Sequence, residues 1–221
     1  MTAADLTHID TWLFDLDNTL YPEESGFMRQ VEDRMTAFVG KVTGLAHDAA
    51  YALQKQYFAE HGLTLAGLML HHGVEPADFH ALFHDLSLDV LAHDPKLLTA
   101  LRALPGRRFI FTNADDKHAE RVMAHLGLTD LFDEVFHIHS FGFTPKPSPV
   151  GFERMIAAHG LDPATTAFFE DSERNLQPAK ALGMTTVMVG PRAAASTAEF
   201  VDYRTAKLAP FLAAARLKEN V

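Results

Sequence analysis

Four polar segments of the chain carry side chains that could hold a divalent cation and a phosphate group. Each segment comes after a short apolar run. The segments are Asp15 with Asp17, Thr112 with Asn113, Lys146, and Glu170 with Asp171. Carboxylates are hard oxygen ligands, which Mg²⁺ favours together with the oxygens of a substrate phosphate. A lysine and a threonine hydroxyl can bind further phosphate oxygens. The combination predicts a magnesium-dependent phosphoryl-transfer site.

The first of these segments supplies the candidate nucleophile. Asp15 and Asp17 are two residues apart, so in an extended backbone their side chains point to the same side. The chain has no cysteine, and no serine stands in a nucleophile elbow, so a carboxylate is the available nucleophile. Attack by Asp15 on phosphorus would give an aspartyl-phosphate, while Asp17 would protonate the leaving oxygen and then activate water. Taken alone, the pair is equally consistent with a solvated acidic turn.

The elements around these segments favour the site over that simpler interpretation. Apolar runs predict five strands, at residues 12–14, 108–112, 134–139, 166–169 and 185–189. Helical patterns that end at a glycine lie between the later strands, at residues 117–126, 149–159 and 174–182. Alternating strands and helices predict an α/β fold with a Rossmann-like parallel sheet. Parallel sheets bind ligands at the carboxyl ends of their strands, where all four polar segments fall.

One region contains only helical patterns. They cover residues 26–42, 47–60, 63–71 and 76–85. The simplest interpretation is a helical cap domain at residues 23–89, inserted after strand 1, with residues 1–22 and 90–221 forming the core domain. Because the insert follows the strand that carries Asp15, we expect it to lie over the site as a lid.

Composition excludes several classes of protein. The 221 residues carry a formal net charge of −10, which argues against a nucleic-acid partner. Without cysteine there can be no disulfide scaffold, cysteine zinc site or iron–sulfur cluster. No apolar run approaches the length of a membrane helix, and the first residues lack the positive charge of a signal peptide. We expect a cytoplasmic protein, monomeric or dimeric, with no membrane partner.

The four segments match, in order and spacing, the motifs of the haloacid dehalogenase superfamily of phosphotransferases, and the chain resembles this superfamily. The motifs stand here as Asp15-Leu-Asp-Asn-Thr-Leu20, Phe111-Thr-Asn113, Lys146 and Glu170-Asp-Ser172. The helical insert after the first motif resembles the C1 cap of the superfamily. The resemblance implies phosphatase chemistry that uses Mg²⁺ as cofactor.

A closer resemblance, to the pyrimidine 5′-nucleotidase branch, covers nearly the whole chain. It is carried by Asp17-Asn-Thr-Leu-Tyr-Pro22, Gly62-Leu-Thr-Leu-Ala-Gly-Leu68, His84-Asp85, Leu104-Pro-Gly106 and Phe169-Glu-Asp-Ser-Glu-Arg-Asn175. The branch typically hydrolyses nucleoside monophosphates such as UMP and CMP, so the resemblance implies a substrate of this class. One departure is His61, which stands where the branch would carry tyrosine before Gly62.

These observations define a set of candidate site residues. They are Asp15, Asp17, Thr112 and Lys146 for catalysis; Asp15, Asp17, Glu170 and Asp171 for metal binding; and Asn113, Tyr21, Phe27, His61 and His84 for substrate binding. Three alternative functions stay open. A sugar-phosphate phosphatase or phosphomutase would share the fold and both aspartates. A 2-haloacid dehalogenase would need neither Asp17 nor a metal, and a non-catalytic binding protein would not need intact carboxylates.

Overall fold

The strands of this computed structural model, which describes residues 3–218, form one six-stranded and one two-stranded sheet. The first two and last three positions of the expected core ranges 1–22 and 90–221 lie outside the described residues. The strands are β1 (Asp5–Leu6), β2 (Thr11–Phe14), β3 (Arg107–Phe111), β4 (Glu134–Phe136), β5 (Thr166–Glu170), β6 (Thr185–Val189), β7 (Tyr203–Thr205) and β8 (Arg216–Leu217). The small sheet pairs β1 with β8.

The large sheet has the order β4-β3-β2-β5-β6-β7, and all its strands are parallel. Its first strand along the chain, β2, therefore lies in the middle, with later strands added first on one side and then on the other. This is the doubly wound arrangement. The order in which strands are added to the sheet reverses between β2 and β5, and such a reversal leaves a crevice at the carboxyl ends of the two strands. The prediction of an α/β fold with a parallel sheet core is confirmed.

The two central strands are buried because they are apolar on both faces, as strands covered by helices on both sides must be. Every residue of β2 and β5 is buried, and the rings of Phe14 and Phe169 stack at 4.6 Å between centroids. The turn into β3 needs a glycine. Gly106 has φ +80°, and a Cβ there would stand 2.0 Å from the carbonyl oxygen of Asp10.

Residues 3–218 contain nine α-helices, five of which lie in the part of the chain from Leu91 onward, among the later strands. They are α1 (Phe27–Thr43), α2 (His47–His61), α3 (Thr64–His72), α4 (Pro76–His80), α5 (Pro95–Ala103), α6 (Asp116–Leu126), α7 (Pro149–His159), α8 (Glu173–Ala181) and α9 (Leu208–Ala214). The Asp115 side chain caps α6 by accepting a hydrogen bond from the backbone N–H of His118, which places the start of that helix just beyond β3. No helix in this part of the chain combines the length and hydropathy needed to cross a bilayer.

Some elements differ from those predicted. The third predicted strand ends at Phe136 rather than at residue 139, because the chain turns there and the N–H of Ser140 bonds the carbonyl of His137. The fourth helix of the insert ends at His80 and continues only as a 3₁₀ turn, Ala81–Phe83. The sixth strand of the sheet, β7, was not predicted, because three half-buried residues are too few to show an alternating pattern.

The chain divides into two compact units. One comprises the residues up to Ser25 together with those from Leu91 onward and contains the sheets, whereas the other, Gly26–Val90, is entirely helical. Inside the helical unit, α1 and α2 are joined by a buried hydrogen bond of 2.5 Å between Thr36 and Gln54. Helices α2 and α3 approach so closely that a Cβ at Gly67 would stand 2.3 Å from the Tyr57 ring.

Candidate active site

The polar segments singled out in the sequence meet where β2, β3 and β5 end. Asp15 follows the last residue of β2, Thr112 follows β3, and Glu170 is the last residue of β5. Since β2 lies between β3 and β5 in the sheet, these three side chains start from neighbouring positions. Lys146 comes from the loop between β4 and α7. The topology alone therefore gathers residues that are up to 155 positions apart in the chain.

Lys146 is the centre of the cluster. Its Nζ donates hydrogen bonds of 2.7 Å to Asp15 Oδ1, 2.8 Å to Glu170 Oε2 and 2.8 Å to the carbonyl oxygen of Phe111. The residue is only 1% exposed, so all three donors of the ammonium group are used within the protein. The two carboxylates outweigh burial and raise the pKa of Lys146, which therefore stays charged. A buried cation of this kind fixes the position of Asp15.

Asn113 positions the lysine. Its Nδ2 donates to the backbone carbonyl of Lys146 at 3.2 Å, and its Oδ1 accepts from the backbone N–H of Lys146 at 2.9 Å. Both ends of the amide are therefore occupied by the main chain of another candidate residue. These two bonds give Asn113 a supporting role for Lys146, and its expected contact with substrate stays a prediction.

Three carboxylates form a potential metal site beside the lysine. Oxygens of Asp15, Glu170 and Asp171 all lie within 4.8 Å of one another. Burial and the charge of Glu170 raise the pKa of Asp15 to about 7, although Lys146 opposes the shift. Burial, Glu170 and Asp15 raise the pKa of Asp171 to about 9, although Arg192 opposes it. The single positive charge of Lys146 therefore does not balance the three carboxylates. Their oxygens are donors that fit a hard divalent cation such as Mg²⁺.

The two acidic residues that follow one another at the end of β5 differ in their surroundings. Glu170 is 1% exposed, and its oxygens accept from Lys146 Nζ and from the backbone N–H of Ser172. The Asp171 side chain is 14% exposed and accepts a hydrogen bond of 3.1 Å from Arg192 through Oδ2. Asp171 is the more accessible of the two, so it is better placed to bind an ion directly.

Asp17 lies outside this carboxylate trio, and its predicted role in metal binding stays a prediction. Its Oδ1 accepts a hydrogen bond of 2.6 Å from the Tyr21 hydroxyl and contacts Nε2 of His118 at 2.8 Å. Burial pushes the pKa of Asp17 upward, but His118 and Tyr21 outweigh burial and hold that pKa below its ordinary value. The charge of Asp17 in turn raises the pKa of His118 against the effect of burial.

His118 is a polar residue of the site that sequence reasoning missed. It lies in the first turn of α6, three residues after the capping Asp115, and is 6% exposed. Its sequence position, five residues after Asn113 in the second motif, was the available signal. Nothing local indicates that its ring reaches a carboxylate 101 residues away.

Thr112 lies at the expected strand end with its side chain buried. It is 1% exposed, and its hydroxyl oxygen accepts from the backbone N–H of Ala114 at 3.0 Å. The hydroxyl hydrogen is directed elsewhere, because this bond uses the oxygen only as an acceptor. A contact from Thr112 to a phosphate oxygen stays a prediction.

The remaining candidates for substrate binding lie in different surroundings. Tyr21 is 3% exposed and bonded to Asp17, and Phe27 is fully buried in α1; the stacking expected of both rings stays a prediction. His61, at the end of α2, and His84, just after the 3₁₀ turn, are half-buried residues of the helical unit. Their predicted contact with substrate stays a prediction.

Comparison with known proteins agrees with this geometry. A family model for haloacid dehalogenase-like hydrolases matches residues 9–183. Phosphate metabolism protein 8 of Saccharomyces cerevisiae is 31% identical over 189 residues, which are 78% of this chain but only 59% of the yeast protein. A GMP/IMP nucleotidase of Escherichia coli is 25% identical over 181 residues, 80% of each chain.

The fold also matches solved structures. A HAD phosphatase from Thermococcus onnurineus superposes with a TM-score of 0.64 at 22% identity, over 98% of this chain and 100% of that one. At this identity the superposition shows the fold alone. The family match, however, includes the strand ends that carry Asp15, Thr112 and Glu170 and the loop that carries Lys146. The doubly wound sheet carries a buried lysine among carboxylates where its strand order reverses, and the family model matches most of the chain. The chain therefore belongs to the haloacid dehalogenase-like hydrolases.

Proposed function

We propose that this hydrolase is a magnesium-dependent phosphatase that cleaves small phosphate monoesters through an aspartyl-phosphate on Asp15. The observation that carries the proposal is the arrangement around Lys146. One buried ammonium group bonds Asp15 and Glu170, and Asp171 completes a carboxylate trio within 4.8 Å. A dehalogenase needs neither such a trio nor a second aspartate with its own hydrogen-bond partners.

Asp15 and Asp171 supply the carboxylate ligands of the metal site in this proposal, and a contact of Asp17 with the ion stays a prediction. Glu170 contributes negative charge and holds Lys146, since both its oxygens already accept hydrogen bonds. Bound Mg²⁺ would supply positive charge that offsets the carboxylates and the substrate phosphate and lowers the pKa of both aspartates.

In the first step Asp15 acts as nucleophile. Lys146 holds Asp15 Oδ1, and the hydroxyl of Thr19 lies 3.3 Å from Oδ2. A carboxylate oxygen of Asp15 forms a bond to phosphorus while the bond between phosphorus and the ester oxygen breaks. Asp17 gives its proton to that departing oxygen, so the alcohol leaves neutral.

In the second step Asp17 acts as a base. It takes a proton from a water molecule, whose oxygen attacks phosphorus and releases inorganic phosphate from Asp15. This regenerates the carboxylate of Asp15 and the protonated Asp17. The hydrogen bonds that lower the pKa of Asp17 suit this base role, because they stabilise its charged form between the two steps.

We further propose a nucleoside monophosphate as the preferred substrate, with the pyrimidine nucleotides UMP and CMP first. The support is the set of segments that resembles pyrimidine 5′-nucleotidases, including Asp17-Asn-Thr-Leu-Tyr-Pro22. The similarity to a protein described as a GMP/IMP nucleotidase, over 80% of both chains, also favours a nucleotide.

The test is phosphate release from a panel of esters. The purified chain would be assayed with UMP, CMP, GMP, IMP, sugar phosphates and p-nitrophenyl phosphate, with Mg²⁺ and with excess chelator. We expect hydrolysis that requires Mg²⁺, is lost in Asp15→Asn, and has its highest kcat/KM with UMP or CMP.

Two results would overturn parts of this proposal separately. A highest kcat/KM with a sugar phosphate would replace the nucleotide but keep the phosphatase. Full activity in excess chelator would remove the metal-dependent mechanism and return the dehalogenase alternative, which release of halide from a 2-haloacid would then test directly.

A further inference from the structure

The Asp17 carboxylate is held through only one of its two oxygens. The Tyr21 hydroxyl and His118 Nε2 both bond Oδ1, at 2.6 Å and 2.8 Å. Within residues 3–218 no other side-chain hydrogen bond reaches this carboxylate. The side chain keeps 17% of its surface exposed. One oxygen is therefore fixed by two partners, whereas neither of these bonds uses Oδ2.

The two partners are themselves fixed by their surroundings. His118 is 6% exposed, and its backbone N–H bonds the Asp115 side chain at 2.8 Å at the start of α6. Tyr21 is 3% exposed and lies four residues after Asp17. A carboxylate can only accept, so the hydrogen lies on His118 Nε2 and on the tyrosine oxygen. Two donors that converge from separate elements restrict rotation of the carboxylate.

We propose that His118 is a positioning residue that, together with Tyr21, holds Oδ1 of Asp17 so that Oδ2 carries out the proton transfers. This proposal rests on the phosphatase function proposed above. In the first step the proton leaves Asp17 Oδ2 for the ester oxygen as the bond to phosphorus breaks. In the second step Oδ2 takes the proton of the attacking water. His118 touches neither substrate nor phosphate; it acts through Asp17.

The dependence on the leaving group separates this role from a structural one. An alkyl ester such as glycerol 2-phosphate needs a proton on its departing oxygen, whereas p-nitrophenolate leaves readily without one. The ratio kcat/KM covers only the steps up to departure of the alcohol, so the later base role of Asp17 does not enter. Misplacing Oδ2 should therefore reduce kcat/KM for glycerol 2-phosphate far more than for p-nitrophenyl phosphate.

The decisive variants are His118→Leu and His118→Gln. Leucine removes the donor, whereas the amide nitrogen of glutamine can replace Nε2. Since general acid catalysis contributes on the order of 10²–10⁴-fold, we expect His118→Leu to lose at least about tenfold in kcat/KM with the alkyl ester. With p-nitrophenyl phosphate the loss should stay below about threefold, and His118→Gln should recover most of the activity on the alkyl ester.

His125→Leu is the matched control. His125 is on the same helix, and its Nε2 bonds the carbonyl oxygen of Leu91 at 2.9 Å, away from Asp17. Its replacement perturbs α6 without touching the carboxylate, so the ratio between the two esters should not change. Tyr21→Phe provides a second route if His118→Leu does not fold, because it removes only the other donor to Oδ1 and should shift the ratio in the same direction.

The possible results are distinct. Equal losses on both esters in His118→Leu, or no recovery in His118→Gln, would overturn the positioning role. If His118→Leu is unfolded, an unchanged ratio in Tyr21→Phe would overturn it. If the wild-type chain hydrolyses neither ester with Mg²⁺, the phosphatase function itself fails, and the role of His118 fails with it.

Discussion

The two aspartates of the first motif are two residues apart but lie in opposite electrostatic surroundings. Around Asp15, burial and further carboxylates raise its pKa to about 7 in spite of Lys146. Around Asp17, His118 and Tyr21 hold its pKa below the ordinary value in spite of burial. Pairs of acids whose surroundings push their pKa values apart commonly divide nucleophilic and acid–base work between them. The difference supports the proposed division of labour, in which Asp15 binds the cation and Asp17 transfers the proton.

The same contrast shows why the two sides need different partners. Asp15, Glu170 and Asp171 place several negative charges around one ammonium group, an arrangement that a divalent cation stabilises. Asp17 is instead paired with the imidazole of His118. The following experiments test this contrast between the carboxylate cluster around Asp15 and the residues outside that cluster.

The largest effect is expected for Asp15→Asn. Removing a covalent nucleophile should lower kcat by about 10⁴-fold or more for every ester, including p-nitrophenyl phosphate. The measurement is steady-state phosphate release, with Asp10→Asn as the control because Asp10 is an exposed residue at the opposite end of β2. Activity of Asp15→Asn within tenfold of the wild type would contradict a covalent role.

Next in size is the metal dependence of the two acids at the end of β5. Asp171→Asn should raise the half-saturating Mg²⁺ concentration by about tenfold or more, because the ion loses an anionic ligand. Glu170→Gln should raise it less, since both oxygens of Glu170 already accept hydrogen bonds from Lys146 and Ser172. Magnesium titrations of activity measure both values. Similar shifts in the two variants would mean that Glu170 binds the ion as directly as Asp171.

A smaller effect is expected outside the cluster, at the two half-buried histidines predicted to bind substrate. His61→Ala and His84→Ala should each lower kcat/KM for the preferred nucleotide by about tenfold, since one base contact contributes roughly 1–3 kcal/mol. The rate with p-nitrophenyl phosphate should hardly change. His47→Ala is the control on α2, because that side chain is 73% exposed. Equal losses on both substrates would assign these histidines a structural role.

The smallest effect concerns stability and tests the charge on the Asp15 side. Because the pKa values of Asp15 and Asp171 are raised to about 7 and about 9, the metal-free folded protein keeps protons that the unfolded chain releases. Its stability should therefore fall as pH rises from about 4 to about 9, and Mg²⁺ should offset this loss. Thermal unfolding should show a Mg²⁺-dependent rise in Tm of about 5 °C at pH 8 and about 1 °C at pH 5.5.

The control for this measurement is Asp171→Asn, which should reduce the rise in Tm at pH 8. At low pH, protons compete with the metal for the same oxygens, which is why the shift should shrink there. A stabilisation by Mg²⁺ that is the same at both pH values would show that the ion binds groups other than these two aspartates.

Sequence patterns alone predict the α/β class, five of the six strands of the large sheet and the polar residues near the ends of those strands. Strand and helix periodicities and glycine stops are local signals, and residues at the carboxyl ends of parallel strands must meet at one edge. These rules predict that Asp15, Lys146, Glu170 and Asp171 lie near one another. In the structure Lys146 is within hydrogen-bond distance of Asp15 and Glu170, and oxygens of the three acids lie within 4.8 Å of one another. Where the local signal was short, as in β7, prediction failed.

The surroundings of each of these side chains, in contrast, depend on how distant segments pack together. Asn113 bonds the main chain of Lys146, Tyr21 is buried against Asp17, and His118 reaches Asp17 across 101 residues of sequence. Such contacts depend on side-chain directions and on the packing of α6 and the loop before α7 against the strand ends, and no local pattern encodes them. The physical reason is that burial and neighbouring charge set the pKa of an aspartate, and both come from segments distant in the chain.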